Sequence, residues 1–294
     1  MTALQRRLLS WYRRHGRATL PWRRSRSPYR TLVSEFMLAQ TQVERVVAKF
    51  EGFLARFPDL GALAKATQAD VLREWRGLGY NSRAVRLHRL ARIAVERGGA
   101  LPSQTDALRA LPGIGAYTAA AIRAFAFDLD DVPMDTNVRR IVERLNAAAS
   151  DVDARARALL PSGRAHDWAS ALMDLGATVC TARAPRCGLC PLRDGCKSAP
   201  LDGAKIERLR AARRKRPAPQ QALPFERTTR YARGRIVDRL RDLPPGQRIS
   251  LLDLHRDVAA AIPGRSAEDV RGLIATLERD GLISLDGTNV SLRE

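Results

Sequence analysis

Apolar residues recur at helical spacing through most of residues 1–195, and no stretch there alternates as a strand does. The pattern predicts helices over 31–56, 69–76, 83–97, 105–110, 116–127 and 137–147. Glycine and proline separate these segments at the places where helices should end, for example at Pro58, at Gly77–Gly79 and at Pro112-Gly113. This part of the chain is therefore predicted to be all-α.

A different pattern occupies residues 225–294. Three segments, YARGRIVDRLRDL, SLLDLHRDVAAAI and SAEDVRGLIATLERDG, predict helices, and the third has a capping signature from Ser266 to Asp269. The segment ISLDGTNVSL predicts a two-stranded hairpin with Asp286-Gly287 at its turn. Three helices followed by a hairpin are typical of a winged-helix module, which binds DNA in some proteins and other proteins elsewhere.

The chain carries a net charge of +20 and has a sequence pI of about 11.1. A surplus of this size favours binding to polyanions, above all nucleic acid, and predicts strong salt dependence. Part of it can also reflect arginine-rich genomic composition. Residues 198–224 are basic and proline-containing with few apolar positions, which predicts a linker. Within it, Arg213–Arg216 is either a phosphate contact or a solvated charge run.

Hydropathy predicts no membrane association. No apolar run approaches the roughly 18 residues that a membrane span requires. The first residues lack the apolar segment and the cleavage site of a signal peptide. We therefore expect a cytoplasmic protein. Separately, we expect it to be a monomer that associates with the nucleoid.

All four cysteines of the chain lie close together, at Cys180, Cys187, Cys190 and Cys196, with the spacing C-x6-C-x2-C-x5-C. Four thiolates can hold one [4Fe–4S] cluster or one zinc ion. A single CxxC pair and a wide first gap favour the cluster over zinc. Disulfides are a third possibility, which the absence of any mark of secretion disfavours.

Between two predicted helices lies the segment LPGIGAYTAA, in which Gly113 and Gly115 flank Ile114. A tight turn into a helix N-terminus presents free backbone N–H groups, and glycine lets an anion approach them closely. The segment therefore predicts a helix–hairpin–helix element that grips a DNA phosphate. The alternative is a plain turn between two helices.

Two acidic residues occupy unusual positions. Glu35 lies in a nearly all-apolar helical segment, where its carboxylate is either paired with a cation or held in a poorly solvated pocket that raises its pKa and makes it a proton donor. Asp135 precedes a predicted helix, where it is either an N-cap or an ionised carboxylate facing a developing positive charge. The sequence alone does not bring the two together.

Five motifs in order resemble the helix–hairpin–helix base-excision glycosylase superfamily over about residues 1–197: SEFMLAQTQV, GLGYNSRA, LPGIGAYTAA, PMDTNVRR and the cysteine loop. The segments LPWR, SEFML, GLGY and LMDLGATVC are similar to those of MutY-type adenine DNA glycosylases. The resemblance implies a monofunctional enzyme that removes adenine mispaired with 8-oxoguanine or guanine from double-stranded DNA after extruding the nucleotide.

The same resemblance implies a two-lobed fold with a cleft. Residues 1–27 would form an N-terminal helix on the cluster lobe, 28–130 a six-helix barrel, and 131–197 the lobe with a structural [4Fe–4S] cluster. Residues 198–224 would be the basic linker and 225–294 the winged-helix-like module.

Catalytic roles follow from the aligned motifs. Glu35 matches the acid that protonates a purine ring nitrogen, and Asp135 matches the carboxylate that stabilises the sugar cation. Asn137 matches an asparagine that orients catalytic groups. Tyr117 stands where endonuclease III has a lysine that forms a Schiff base, so the resemblance implies base release without strand cleavage.

Contacts to DNA follow in the same way. The resemblance assigns Gln40 as the side chain that wedges into the base stack. The further candidates are residues of the LPWR motif, the hairpin and the cluster loop: Trp22, Gly113, Ile114, Gly115, Thr118, Arg183, Arg186 and Arg193.

The chain departs from the best-known adenine enzymes at Ala39, at Asn81, where they have a second tyrosine, and at Ser170. Residues 225–294, with three predicted helices and a hairpin, are not expected to form the large C-terminal domain of those enzymes. One alternative is therefore a thymine or uracil glycosylase acting opposite guanine, which Tyr117 and Asn81 would suit. A second alternative is a non-catalytic DNA-binding protein on the same scaffold, against which the presence of both Glu35 and Asp135 counts.

Overall fold

The computed structural model describes residues 1–146, 151–199, 203–205, 207–208 and 224–294. Most of the predicted linker, including Arg213–Arg216, lies outside the described residues. The predicted all-α core and the C-terminal α+β module are confirmed. The α-helices are α1 Ala3–His15, α2 Pro28–Leu38, α3 Val43–Arg56, α4 Leu60–Lys65, α5 Gln68–Glu74, α6 Ser82–Glu96, α7 Thr105–Arg109, α8 Ala116–Phe127, α9 Thr136–Asn146, α10 Val152–Leu159, α11 Ala165–Thr178, α12 Thr229–Arg241, α13 Leu251–Ala259 and α14 Ala267–Arg279.

The chain forms two compact units, Met1–Glu35 with Leu101–Ala218 and Phe36–Ala100 with Pro219–Glu294. The hairpin segment and the cysteine loop therefore belong to the same unit, whereas the predicted barrel would have included residues 101–130. The domain boundaries predicted after residues 27, 130 and 197 remain predictions.

In the first unit, α11 packs against α1, α8 and α9. Its core joins Leu8 of α1, Val138 of α9 and Trp168 and Leu175 of α11, all fully buried. Gly176 lets α11 approach α9 closely, because a Cβ atom there would lie 2.6 Å from Cβ of Asn137. The conformation of the Asn137 segment thus depends on a small residue in the opposing helix.

In the second unit, helices α3 to α6 enclose an aromatic core. Phe50 and Phe53 of α3 and Trp75, just after α5, are buried, and the rings of Phe53 and Trp75 meet edge to face at 6.0 Å. Each such side chain stabilises the fold by roughly 2 kcal/mol through burial. Asp59 and Thr67 cap α4 and α5 by accepting hydrogen bonds from their first-turn N–H groups.

The prediction of a single helix over 31–56 is wrong, because this segment forms two helices. Helix α2 ends at Leu38 and α3 begins at Val43. Gln40 between them has a left-handed φ of 62°, which an α-helix does not accommodate. Apolar spacing continues across the break, so periodicity alone did not reveal it. Helices α1, α4, α10 and α11 also lie outside the ranges that the spacing predicted, although the family resemblance implied α1.

The C-terminal module contains α12, α13 and α14 and a three-stranded antiparallel sheet of order β1-β3-β2, with β1 Ile249–Ser250, β2 Ile283–Asp286 and β3 Asn289–Leu292. The capping box of Ser266 and Asp269 is present at the start of α14. The predicted hairpin is confirmed, but Asp286 pairs with Asn289, so the turn consists of Gly287 and Thr288. The two-residue strand β1 was not predicted.

In the part of the chain that the structure describes, no helix is long and apolar enough to cross a membrane.

Candidate active site and cluster loop

Glu35 lies on the buried face of α2, and only 9% of its surface is exposed. Burial raises the pKa of its carboxyl group to about 7. A hydrogen bond from Tyr117 and the charge of Arg23 lower that pKa, whereas the charge of Asp135 raises it further. The sequence left a salt-bridged glutamate and a proton donor as alternatives. The pKa near 7 agrees with the proton donor.

Tyr117, in the first turn of α8, is the hydrogen-bond partner of Glu35. Burial raises the pKa of its phenol above the ordinary value, and the negative charges of Glu35 and Asp135 raise it further. Its hydroxyl therefore stays protonated and donates to the Glu35 carboxyl group.

The carboxylate of Asp135 receives three hydrogen bonds at the start of α9. Its Oδ1 accepts from the backbone N–H groups of Asn137 at 2.9 Å and Val138 at 2.7 Å, and its Oδ2 accepts from Nδ2 of Asn137 at 2.8 Å. Asp135 thus caps the helix, as one interpretation of the sequence predicts. The same bonds fix the carboxylate in a site where its charge acts on Glu35.

The orientation of Asn137 is set by Arg140, which the sequence analysis did not single out. Nη2 of Arg140 donates to Oδ1 of Asn137 and to the carbonyl of Gly176, each at 2.7 Å. Its Nε donates to the carbonyl of Cys180 at 2.9 Å. A continuous chain of hydrogen bonds therefore joins the first cysteine of the loop to the catalytic carboxylate candidate Asp135.

Arg23 brings a positive charge to the same site. Its guanidinium forms two hydrogen bonds with the fully buried carboxylate of Asp174, at 2.6 and 3.0 Å, and Arg17 donates to the same carboxylate. Burial alone would raise the pKa of Asp174, but these cationic donors lower it below its ordinary value. The sequence analysis missed Asp174, whose only signal was a charged residue inside the apolar pattern of LMDLGATVC. Trp22, in the 3₁₀ turn Pro21–Arg23, is half-buried.

The hairpin leads into the uncapped N-terminus of α8. Gly113 has a φ of 83°, and Gly115 precedes the helix without any side-chain cap, with open space where a Cβ would lie. The first N–H groups of the helix therefore have no side-chain acceptor at the cap. Ile114, predicted as a DNA contact, has only 6% of its surface exposed, so its side chain belongs to the core and only its backbone can meet a phosphate. Thr118 is half-buried.

Two turns of the second unit, at Gln40 and at Tyr80, have left-handed backbone, with φ values of 62° and 45°. Such a conformation costs a non-glycine residue roughly 1 kcal/mol. Buried Arg83 holds both turns, since its guanidinium donates to the carbonyls of Phe36, Met37, Leu78 and Gly79 and to the hydroxyl of Thr41. Gln40 is exposed at the first turn, as a wedging side chain requires.

The four cysteines line one small cavity together with Arg144 and Arg186, and none of the four forms a disulfide. A cavity lined by four thiols offers the ligand set of a [4Fe–4S] cluster. Arg144 donates to Sγ of Cys180 at 3.3 Å and to the carbonyl of Thr181 at 2.9 Å, which places a cation beside the cysteine sulfurs.

Of the DNA-binding candidates in this loop, Arg183 and Arg186 are exposed, as is Arg193. Arg186 also donates to the carbonyl of Thr178, which fixes the base of the loop. A bound cluster would be held by Cys180, Cys187, Cys190 and Cys196 and would serve to shape this arginine-bearing loop.

The helical fold and the paired carboxylates define a base-excision DNA glycosylase. Residues 33–161 match the model of the HhH-GPD superfamily base excision DNA repair protein, and residues 180–196 match the iron–sulfur binding domain of endonuclease III. The second match confirms the predicted [4Fe–4S] cluster. A solved thermostable thymine-DNA glycosylase shares the fold with a TM-score of 0.62 and 27% identity, over 66% of this chain and 94% of that one.

Two relatives of similar sequence show to which family within this superfamily the chain belongs. The adenine DNA glycosylase of Mycolicibacterium smegmatis is 46% identical over 80% of this chain and 79% of the relative. That of Mycobacterium tuberculosis is 41% identical over 93% of this chain and 84% of the relative. The chain belongs to the adenine DNA glycosylases of the helix–hairpin–helix base-excision repair superfamily, which confirms the resemblance inferred from the motifs.

Proposed function

We propose that this protein hydrolyses the N-glycosidic bond of adenine mispaired with 8-oxoguanine or guanine in duplex DNA and leaves the strand uncut. The observation that carries the proposal is the pairing of Glu35, a buried acid with a pKa of about 7, with the hydrogen-bonded carboxylate of Asp135. Two carboxyl groups in unlike environments can serve as acid and as ion stabiliser at one pH.

Glu35 is the general acid. With a pKa of about 7, a large fraction of its carboxyl groups carries a proton at neutral pH. That proton passes to a ring nitrogen of the extruded adenine, so the base departs neutral when the bond to the sugar breaks. Tyr117 holds the Glu35 carboxyl group in place throughout.

Asp135 acts on the sugar. The breaking bond leaves positive charge on the ring oxygen and the anomeric carbon, and a fixed carboxylate stabilises that charge without reorganising. Asn137 and the first N–H groups of α9 hold it in position through three hydrogen bonds. Water then completes the hydrolysis and produces an abasic site.

Strand cleavage through an imine needs an amine, and the hairpin offers Tyr117 instead. A phenol forms no imine, and the raised pKa of Tyr117 keeps it a neutral donor. The enzyme is therefore monofunctional and its product strand is intact until alkali is added.

Phosphate contacts come from the free N–H groups at the start of α8 and from Arg183 and Arg186 of the cluster loop. Gln40 wedges into the base stack, and Trp22 contacts the DNA. The enzyme acts as a monomer on the DNA of the nucleoid in the cytoplasm.

The test is a panel of duplexes with adenine opposite 8-oxoguanine, adenine opposite guanine, thymine opposite guanine and uracil opposite guanine. Free base and strand integrity are measured separately under single-turnover conditions. We expect adenine release from the first two duplexes with intact strands. Release of thymine or uracil with adenine untouched would overturn the proposal in favour of the mismatch glycosylase, and no base release from any duplex would favour the non-catalytic alternative.

A further inference from the structure

The exposed side of helix α6 carries a row of arginines. Arg86, Arg89 and Arg92 follow one another at intervals of three residues, and all three are exposed. Residues three apart on an α-helix are neighbours on its surface, so the three guanidinium groups lie on one side of the helix. These three residues form the α6 arginine row.

The α6 arginine row has no acidic partner. Its three side chains form no hydrogen bond or ion pair with any residue that the structure describes. Glu96 is the one acidic residue of α6, and it forms no ion pair with a described residue either. Helices α4 and α5 pack against α6. Their acidic residues are Asp70 and Glu74, and Asp70 is bound by Arg73 of its own helix. The positive charge of the row is therefore not neutralised by the helices around it.

Many other arginines of the protein are neutralised in place. In the C-terminal module, ion pairs join Arg233 to Asp280, Arg239 to Asp257, Arg248 to Asp286 and Arg256 to Asp253. The α6 arginine row lacks such partners, and like charges that are neighbours on a helix lower its stability. A polyanion bound along the row would remove this repulsion.

The row leads away from the turns at Gln40 and Tyr80. Arg83, at the start of α6, is buried and holds both of these turns. Arg92 follows Arg83 by roughly 2.5 helical turns, so it points to the opposite side of the helix, about 13 Å further along the axis. Arg89 points roughly 120° away from Arg83. The surface around Arg89 and Arg92 is thus separate from the one at which Gln40 is proposed to wedge into DNA.

Helix α14, the third helix of the C-terminal module, offers no comparable surface. Its exposed charged residues are Glu268, Asp269, Arg271 and Arg279, whose charges cancel. A helix that binds DNA needs a cationic exposed face, because the phosphates supply most of the attraction. Of these two helices, α6 is the one that meets this requirement.

We propose that the α6 arginine row binds the phosphate backbone of a second DNA segment while the enzyme is engaged with the first. This contact goes beyond the proposed function, which needs one duplex. Double-stranded DNA carries one negative charge per roughly 1.7 Å of its axis, so a row about 9 Å long meets phosphates in any register. The planar guanidinium group matches phosphate oxygens in pairs. The enzyme thereby passes directly from one DNA segment to another.

The test measures this transfer with the full-length protein and undamaged DNA. Protein bound to a fluorescently labelled duplex is mixed with increasing amounts of unlabelled duplex, and its release is followed by stopped-flow anisotropy. A release rate that rises with the concentration of unlabelled duplex reports transfer through a doubly bound state. Because neither duplex contains a mispair, failure of adenine release would leave this test unaffected.

Three double variants separate charge from structure. Arg89→Ala with Arg92→Ala removes two charges of the row. Arg271→Ala with Arg279→Ala is the matched control, because it removes two exposed arginines from α14. Arg89→Lys with Arg92→Lys keeps both charges of the row. We expect the alanine variant of α6 to melt no lower than the unaltered protein, since alanine favours a helix and the repulsion is relieved.

For the unaltered protein, the release rate should rise in proportion to the concentration of unlabelled duplex. Arg89→Ala with Arg92→Ala should lower this slope about tenfold and change the affinity for a single short duplex by less than about twofold. The lysine variant should keep most of the slope, and the α14 control should keep all of it.

An unchanged slope in the alanine variant of α6 would overturn the proposal, as would a lower melting temperature, which would give the row a structural role. An equal loss of affinity for a single duplex would overturn it by placing the row in the primary DNA contact. Loss of the slope in the α14 control would overturn it in favour of the C-terminal module. Stronger competition by polyglutamate than by DNA would overturn it in favour of an acidic protein partner.

Discussion

The phenol of Tyr117 donates a hydrogen bond to the buried carboxyl group of Glu35. Burial favours the protonated form of Glu35, and this hydrogen bond favours the ionised form. The balance leaves the pKa of Glu35 at about 7, close to neutral pH. A general acid is most effective when its pKa lies near the pH at which the enzyme works.

Replacing Tyr117 with phenylalanine should move the alkaline limb of the pH–rate profile for adenine excision to higher pH. The hydrogen bond from Tyr117 lowers the pKa of Glu35. Removing this bond therefore raises that pKa and keeps Glu35 protonated further into the alkaline range. We expect a displacement of about one pH unit in the single-turnover rate of adenine release. A limb that stays in place or moves to lower pH would contradict the assigned contact.

Glu35 also makes stability depend on pH. Its pKa is raised from 4.5 to about 7 on folding, so it stabilises the folded protein fully below pH 4.5 and loses that contribution as the pH rises through 7. Glu35→Gln lacks this titration. Between about pH 5.5 and about pH 8 the unaltered protein should lose about 2 kcal/mol in free energy of unfolding relative to Glu35→Gln. Urea titrations at both pH values measure the difference, and parallel behaviour of the two proteins would refute the buried-acid assignment.

Gly176 should resist even the smallest substitution. A Cβ atom there would meet Cβ of Asn137 at 2.6 Å and Nη2 of Arg140 at 3.3 Å. We expect Gly176→Ala to cost about 1–3 kcal/mol and to slow excision, because the partner that orients Asp135 must shift. The matched control is Gly52→Ala in α3, where no atom lies within 4 Å and alanine should stabilise the helix by about 0.5–1 kcal/mol. If both variants melted and reacted alike, close packing at Gly176 would not support the site.

The four cysteines should hold about four iron atoms per chain and give the protein a brown colour. Cys190→Ser removes one ligand from the cavity that all four line. We expect loss of iron and of visible absorbance, with weaker DNA binding as the arginine-bearing loop loses its shape. Metal analysis that found one zinc per chain and no iron would refute the cluster.

Much of this site could be predicted because each catalytic candidate has a local signature. Glu35 stands out as a charge in an apolar helix, and Asp135 stands out before a helix. Their convergence could not be derived from periodicity, because it depends on how α2, α8 and α9 pack within the first unit. The family resemblance supplied that information.

Other features had no sequence signal of their own. The break at Gln40 interrupts no apolar repeat, so the helix predicted over 31–56 was too long. The side chain of Ile114 fills the core, which a hairpin motif does not reveal, so its predicted DNA contact can involve only the backbone. The strand β1 has two residues and forms only by pairing with β3. Each of these is decided by tertiary contacts.

Single-turnover release of adenine by Glu35→Gln and Asp135→Asn, measured beside their affinity for the same duplex, tests the central claim most directly. Both substitutions keep the size of the side chain. Glu35→Gln removes the acid, and Asp135→Asn removes the carboxylate charge. The account predicts that each abolishes base release and leaves DNA affinity nearly unchanged. Full activity in either variant would contradict the assignment of that residue, and full activity in both would contradict the two-carboxylate mechanism.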